Sequence, residues 1–261
     1  MPLRTVPVEE IHPPFPADIE IIRMDMKSPA VLRGYARDWP ALAKWNGEYF
    51  RNEFSDTRVP IASYVGGRVN FLEGVGVDYS ELPLGDMLQA TRQESRSFAI
   101  GAPLERFPAR LREDLRRPAV CEDAAWVRSK VFISPGGIGA PLHRDIPHNI
   151  YVQIAGRKKW ILFSPADNAN VYPYPLFSKL PAFARADAET PDFGRFPCLR
   201  DARPWECVLE PGDALLLPSF FWHQTRALDF SISVNFWFAR GKLALAAWLS
   251  DLGKRILGLS R

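Results

Sequence analysis

The clearest pattern in the chain is a series of short apolar runs between residues 126 and 240, each bounded by glycine, proline or polar residues. Runs of about four to eight residues rich in β-branched and aromatic side chains, separated by turn residues, predict β-strands. We predict strands at 126–134, 149–154, 158–163, 206–209, 214–218 and 231–238. Many short strands of this kind are typical of a β-sandwich or barrel.

The residues before 126 show a mixed pattern. Val31–Gly34 predicts a buried strand that ends in a glycine turn, and Pro40 suits the first turn of a short helix. Ser80 is the predicted N-cap of a later helix. Three longer elements are predicted here: a helix over 43–56 with an aromatic inner face, a hairpin over 58–72 with its turn at Gly66-Gly67, and a helix over 80–93.

Two features flank the last strands. The stretch from about 165 to 205 carries many prolines and no clear periodicity, and so long a loop usually has a functional or lid role. Residues 241–257 have helical periodicity. The apolar stripe of this helix consists of Leu245, Trp248, Leu249, Leu252 and Ile256. We therefore predict one domain over 1–261, with a flanking region at 1–125, a β core at 126–240 and a helix at 241–261.

Composition narrows the class of protein. The 261 residues are 47% hydrophobic, which suits one folded domain. The net charge of +3 does not by itself call for nucleic acid, and none is expected as a partner. Three cysteines without a CxxC pair fit a reducing compartment, and no run of ~18 apolar residues predicts a membrane span. A cytoplasmic protein is expected.

A candidate metal site begins at His143-Arg144-Asp145. On an extended chain, residues i and i+2 point to the same side, so the imidazole and the carboxylate face one point. One remote histidine would complete a 2-His-1-carboxylate triad, which leaves positions on Fe(II) for other ligands. The pair alone also fits a hydrogen-bonded His/Asp pair in a loop.

The second half of this pattern is Trp222-His223. A tight turn at 210–213, a short buried strand at 214–218 and a loop at 219–223 would bring His223 to the mouth of a β-barrel. Taken alone, His223 would be a core histidine in an aromatic cluster. Together with His143 and Asp145, it is the predicted third metal ligand.

These motifs resemble those of the cupin-like Jumonji-C oxygenases, and in particular of the asparaginyl hydroxylase that acts on hypoxia-inducible factor. The likeness extends over nearly the whole chain and is densest at 130–238. It is carried by Val31–Gly34, Asp38-Trp39-Pro40, Pro141–Asp145, Asn149, Gln153, Gly156, Lys158, Ile161-Leu162-Phe163, Tyr172-Pro173-Tyr174-Pro175, Pro211-Gly212-Asp213, Trp222-His223 and Val234-Asn235-Phe236-Trp237.

The resemblance implies a mainly β fold, a double-stranded β-helix or jelly roll, with N-terminal α/β elements and a C-terminal helix. It implies that Fe(II) binds His143, Asp145 and His223, and that Lys158 pairs with the distal carboxylate of 2-oxoglutarate. Asn149 and Asn235 match family asparagines near the cosubstrate and iron, although hydrogen bonding at strand ends is the alternative.

One position departs from the family pattern. Relatives often place Thr or Ser three residues before the first ligand, where this chain has Ala140. Tyr151 or Ser134 is the expected substitute for the missing hydroxyl, and weaker cosubstrate binding is the alternative. His148 either lines the pocket or is a loop histidine without a role.

The resemblance also implies a reaction. We expect a hydroxylase that uses Fe(II), 2-oxoglutarate and O₂ on a protein or peptide side chain. A small-metabolite substrate, a cupin enzyme without a keto-acid cosubstrate and a non-catalytic binding module remain alternatives. By analogy with family members, the C-terminal stripe predicts a homodimer, unless it packs on the barrel.

Overall fold

The computed structural model describes residues 2–16, 19, 28–65, 68–69, 71–72, 76–77, 79–90, 96–178 and 180–256. The strands are β1 (Val6–Pro7), β2 (Glu9–Ile11), β3 (Ala30–Leu32), β4 (Arg58–Val65), β5 (Arg68–Val69), β6 (Phe71–Leu72), β7 (Gly76–Val77), β8 (Tyr79–Pro83), β9 (Arg96–Pro103), β10 (Trp126–Ser134), β11 (His143–Arg144), β12 (His148–Ala155), β13 (Lys158–Phe163), β14 (Trp205–Leu209), β15 (Ala214–Leu217), β16 (Trp222–Ala227) and β17 (Ser231–Ala239). The α-helices are α1 (Pro40–Lys44), α2 (Gly47–Phe54), α3 (Leu84–Ala90), α4 (Ala109–Glu113) and α5 (Gly241–Ile256).

Two sheets form a jelly roll, as the sequence predicts. Within the described residues, the smaller sheet has the order β1-β14-β13-β16-β11, and the larger has the order β2-β3-β15-β12-β17-β10-β9-β4-β5, with β8 beside β4. The six strands predicted between residues 126 and 240 agree with the observed strands to within one residue at each end; they are β10, β12, β13, β14, β15 and β17. Strands such as β12 and β17 are buried on both faces, which explains why each one forms a short apolar run in the sequence.

The hydrophobic core is divided by the larger sheet. Val131 and Ile133 of β10 pack with the flanking helices in one cluster, whereas Phe132 faces a second cluster between the sheets. That second cluster includes Tyr151 from β12 and Trp160 from β13. The space between the sheets is therefore lined by side chains from both, and the candidate site lies there.

Two predictions in the N-terminal region were wrong in detail. The helix predicted over 43–56 is two helices, because Trp45 is extended and the Asn46 side chain accepts hydrogen bonds from the backbone of Glu48 and Tyr49, capping a new helix. The helix predicted from Ser80 begins instead at Leu84. Residues 79–83 pair with β4, so strand pairing overrides the local cap signal. The predicted hairpin pairs β4 with β5, but its turn at 66–67 lies outside the described residues.

The segment predicted as a loop before His223 is also different. Trp222 and His223 open a six-residue strand, β16, which the sequence analysis missed. The polar residues Gln224, Thr225 and Arg226 interrupt the apolar run by which the other strands were predicted. As a result, His223 is fixed by a backbone ladder on both sides, opposite His143 of β11 and Leu162 of β13.

The C-terminal helix packs on the barrel through small residues. Ala244 and Ala247 are buried with Ala239 of β17, and Asp251 accepts a hydrogen bond from the Trp126 indole. The predicted apolar stripe points away from the barrel: Leu245, Trp248, Leu249 and Leu252 are exposed by 59, 54, 53 and 39%. The alternative that the stripe packs on the barrel is therefore wrong for these four residues. Among the helices described, none is both long and apolar enough for a membrane span.

Candidate metal centre

The three predicted ligands converge at one end of the space between the sheets. Antiparallel pairing of β11 with β16 sets His143 directly opposite His223, and their ring centroids are 4.1 Å apart. Asp145 follows β11, and its Oδ2 lies 3.8 Å from His223 Nε2. One ligand atom from each residue lies within 4.8 Å of the other two. A single ion could therefore contact all three side chains.

Hydrogen bonds orient each ligand. His143 Nδ1 lies 2.7 Å from the Pro141 carbonyl oxygen, and His223 Nδ1 lies 3.1 Å from that of Phe221. A carbonyl can only accept, so Nδ1 carries the proton and Nε2 keeps the lone pair for a metal. The Trp237 indole donates to Asp145 Oδ2 over 2.9 Å. Such outer bonds fix ligand orientation in metal sites.

The electrostatics favour a neutral imidazole. Burial, with a smaller contribution from His143, lowers the pKa of His223 to about 4. His223 is therefore uncharged near neutral pH, which is the form that binds a metal.

An aromatic residue of the long loop covers this end. Phe183 stacks on His143 with centroids 5.6 Å apart, and the same two residues form an isolated β-bridge. The Ala184 amide donates to the Leu142 carbonyl over 2.9 Å. The loop predicted at 165–205 thus lies against the first ligand. Its length predicted a functional or lid role, but its sequence did not indicate which residue makes this contact.

Lys158 lies deeper in the barrel. Its Nζ is 2.6 Å from the Tyr151 hydroxyl and 3.5 Å from Ser233 Oγ, and the three residues are buried. Burial lowers the pKa of Lys158 to about 7. Lys159 faces the outside, as strand alternation predicts, and pairs with Glu206 over 3.1 Å.

The two predicted asparagines are buried on neighbouring strands of the larger sheet, with Asn149 opposite Trp237 and Asn235 opposite Tyr151. Asn235 Oδ1 accepts from the Lys130 amide over 3.0 Å. Asn149 Oδ1 and Asn235 Nδ2 have no hydrogen-bond partner within the residues described. A buried polar atom without a partner is costly, so both atoms are available to a bound ligand.

The remaining predicted positions separate into two groups. His148 accepts a hydrogen bond from the Ser219 amide over 3.1 Å and stacks on Phe238, so it anchors the start of β12. Ser134 pairs in register with Ser231, at the last position of β10. The Ala140 amide donates to Thr225 Oγ1 over 3.1 Å. Sequence reasoning missed the contacts of Ser233 and Thr225, and it gave Trp237 no role as a donor to a metal ligand.

This arrangement fits a metal and a dicarboxylate together. The donor set of two neutral imidazoles and one carboxylate suits a divalent transition metal and leaves open positions on it. The buried amine of Lys158 suits an anionic group, because an ammonium with an opposite charge beside it is stabilised in a buried site.

The fold and the donor set define the class of this protein. Residues 22–242 match the model of the cupin-like domain family. The chain belongs to this family, and its relatives place it in the Jumonji-C branch. The family predicted from the motifs and its fold are thus confirmed.

Among curated relatives, the chain is 30% identical to "Lysine-specific demethylase 8" of Xenopus tropicalis over 230 residues, which are 82% of this chain and 48% of the relative. It is 31% identical to "Jumonji C domain-containing protein 5" of Drosophila melanogaster over 218 residues, 80% and 54% of the two chains. It is 29% identical to "tRNA wybutosine-synthesizing protein 5" of Danio rerio over 231 residues, 81% and 69%. The chain spans about half the length of the demethylase and the Drosophila relative.

Proposed function

We propose that this protein is an Fe(II)- and 2-oxoglutarate-dependent oxygenase that hydroxylates a side chain of a protein or peptide. The observation that carries the proposal is the pairing of two features in one barrel. A 2-His-1-carboxylate set lies at one end, and the buried amine of Lys158 lies further in. A keto acid with a second carboxylate needs both a chelating metal and a partner for its distal charge.

Each residue has a role in this proposal. His143, Asp145 and His223 would hold the iron, and Lys158 would hold the distal carboxylate of 2-oxoglutarate. Asn149 and Asn235 offer amide groups between the sheets, and Tyr151 offers a hydroxyl. Iron with bound 2-oxoglutarate and O₂ supplies the oxidising chemistry, while the protein excludes water and fixes the geometry. Aromatic side chains such as Phe183 and Trp237 limit access of water to the ligands.

The rival classes lack support from this site. A cupin enzyme without a keto-acid cosubstrate has no need for a buried amine opposite the metal. A non-catalytic module has no need for ligands whose Nε2 atoms are both oriented by carbonyls. The hydrogen bonds that orient the three ligands therefore favour a catalytic metal.

A protein or peptide is the first candidate substrate. Three relatives carry the name of a lysine-specific demethylase, which points to a protein substrate for those proteins. The long loop lies at the metal end, and Leu176 and Phe177 on it are 73 and 99% exposed. An exposed apolar segment on the same loop as Phe183, which stacks on His143, suits contact with an extended peptide.

RNA is the second candidate, because another group of relatives is named for tRNA wybutosine synthesis. This relationship argues against the expectation, drawn from net charge, that no nucleic acid is involved. A small metabolite is the third candidate, and no contact in the site favours it specifically.

Turnover without added substrate offers a direct test. Oxygenases of this class release succinate slowly when incubated with iron, 2-oxoglutarate and O₂. We expect succinate from the wild-type protein and none from His223→Ala, while His12→Ala, at an exposed histidine, matches the wild type. No succinate, combined with no binding of 2-oxoglutarate to the metal-loaded protein, would contradict the proposal. A panel of peptides and tRNA would then rank substrates by stimulation of succinate release.

The exposed stripe of α5 supports a homodimer. Leu245, Trp248 and Leu249 form an apolar surface at spacings of three and four residues, which suits packing against the same helix of a second copy. Native mass spectrometry should give a dimer for the wild type and a monomer for Leu249→Glu. A wild-type monomer at micromolar concentration would contradict the proposed homodimer.

We also propose a cytoplasmic location for this protein, and this proposal rests on composition alone.

A further inference from the structure

The site lacks one hydroxyl group that the family pattern provides. Ala140 provides no hydroxyl for the distal carboxylate, and its amide is already bonded to Thr225 Oγ1. A carboxylate held by Lys158 alone would keep several acceptor sites without donors. Each unsatisfied buried acceptor costs on the order of 1–3 kcal/mol, so other donors are required if the ligand binds there.

Two hydroxyl groups surround Lys158 instead. Tyr151 Oη lies 2.6 Å from Nζ, and Ser233 Oγ lies 3.5 Å from it. Tyr151 and Ser233 are also hydrogen-bonded to each other. Tyr151 comes from β12 and Ser233 from β17, and the two strands are neighbours in the larger sheet, whereas Lys158 comes from β13 in the smaller one. The cluster therefore joins the two sheets across the barrel.

We infer that Tyr151 and Ser233 replace the hydroxyl missing at Ala140, and that with Lys158 they form a three-donor site for the distal carboxylate of the keto acid. The inference rests on the proposed function and specifies how its cosubstrate is held. In the unliganded protein the two hydroxyls satisfy the buried amine. A carboxylate at the same point would accept from all three groups, each of which can turn a proton toward it.

The surroundings support this assignment. Trp160 packs edge-on against Tyr151 with centroids 4.6 Å apart and stacks on His223 with centroids 5.7 Å apart, so it spans the distance from the cluster to the metal ligands. Its buried indole nitrogen has no hydrogen-bond partner in the part of the chain that is described. Phe132 also packs against the Tyr151 ring, with centroids 6.0 Å apart. These contacts hold the phenol in place and leave an additional donor along the path that the keto acid would take.

The titration of the cluster agrees with the geometry. Burial raises the pKa of Tyr151, so its hydroxyl keeps its proton, and burial lowers the pKa of Lys158 to about 7. Binding of a dicarboxylate restores the ammonium form, because the new negative charge favours it. At pH 8, about one unit above this pKa, ligand binding should therefore take up close to one proton.

Calorimetry on the zinc-loaded protein tests the inference without turnover. The ligands are 2-oxoglutarate and 2-oxopentanoate, which has a methyl group in place of the distal carboxylate. We expect Tyr151→Phe to weaken 2-oxoglutarate binding about tenfold or more, and Ser233→Ala to weaken it several-fold, because bonds to a charged group are the stronger ones. Binding of 2-oxopentanoate should stay unchanged. Ser134→Ala, at the other candidate hydroxyl, is the control and should match the wild type.

The outcomes separate this inference from the proposed function. If the wild-type protein does not prefer 2-oxoglutarate to 2-oxopentanoate, both are overturned. If the wild type shows that preference but neither Tyr151→Phe nor Ser233→Ala reduces it, this inference alone is overturned. A loss in Ser134→Ala, or an equal loss for both ligands in Tyr151→Phe, would also overturn it. Heats measured at pH 8 in two buffers give proton uptake, which Tyr151→Phe should retain and Lys158→Met should abolish.

Discussion

The two ends of the barrel interior handle their polar groups in different ways. At the metal end, the ligands are oriented by backbone carbonyls and an indole, with Asp145 still partly exposed. At the amine end, Lys158 depends on two side-chain hydroxyls and is buried. Backbone partners hold a fixed geometry for an ion. Side-chain hydroxyls can rotate, which suits a group that is neutral before the ligand arrives and charged afterwards.

The largest effect should come from breaking the metal end. His223→Ala removes one of three ligands, and loss of even an outer partner costs about 10–100-fold in metal affinity, so we expect a loss of more than about 100-fold. Zinc or manganese titration of the apoprotein measures it. His12→Ala is the matched histidine control. Unchanged metal affinity in His223→Ala would show that the ion, if any, binds elsewhere.

Breaking the amine end should leave the metal bound. Lys158→Met keeps the length and packing of the side chain but removes its charge, which should weaken 2-oxoglutarate binding about 30- to 100-fold with metal affinity unchanged. Calorimetry on the metal-loaded protein provides the measurement. Lys159→Met, one residue along on the outer face, is the control. Equal losses in both variants would indicate a general effect on β13.

A substitution at Trp237 tests whether the hydrogen bonds that orient the ligands contribute to metal affinity. Trp237→Phe keeps an aromatic ring but removes the donor to Asp145 Oδ2, and we expect about tenfold weaker metal binding. Trp248→Phe on the exposed side of α5 is the control. Wild-type metal affinity in Trp237→Phe would mean that packing alone orients this carboxylate.

The smallest predicted effect is a pH dependence that the two ends should not share. With the pKa of Lys158 at about 7, the ammonium that binds the carboxylate is present below pH 7 and lost as the pH rises. Affinity for 2-oxoglutarate should fall about fivefold between pH 7 and pH 8, following the protonated fraction. Metal affinity should not fall over that range, since His223 is already neutral. Lys158→Met should remove the dependence, and its persistence there would assign it to another group.

The sequence predicted the metal end better than the amine end for a physical reason. His143 and Asp145 are two residues apart on one extended segment, so local geometry alone directs both to one point. Tyr151, Lys158 and Ser233 come from three strands, and their contact depends on how the two sheets pack. Lys158 was found through family resemblance, and Tyr151 only as one of two candidate hydroxyls. Ser233 looked like one more small residue in an apolar strand.

The flanking region shows the same limit. The strands of the core could be predicted because a short apolar run bounded by turn residues is a local property. Trp45 interrupts a helical pattern only because Asn46 caps the next helix, and residues 79–83 became a strand only because β4 is available as a partner. Competition between local preference and long-range pairing cannot be resolved from the local pattern.

The register of β16 has a consequence for changes in chain length. His223 faces the site because it pairs with His143 on one side and Leu162 on the other. A shift of one residue in this register would move every side chain of β16 to the opposite face of the sheet. A one-residue deletion within Trp222–Ala227 would therefore direct His223 away from the ion while leaving composition nearly intact. Length variation among natural or engineered forms should therefore be excluded from Trp222–Ala227.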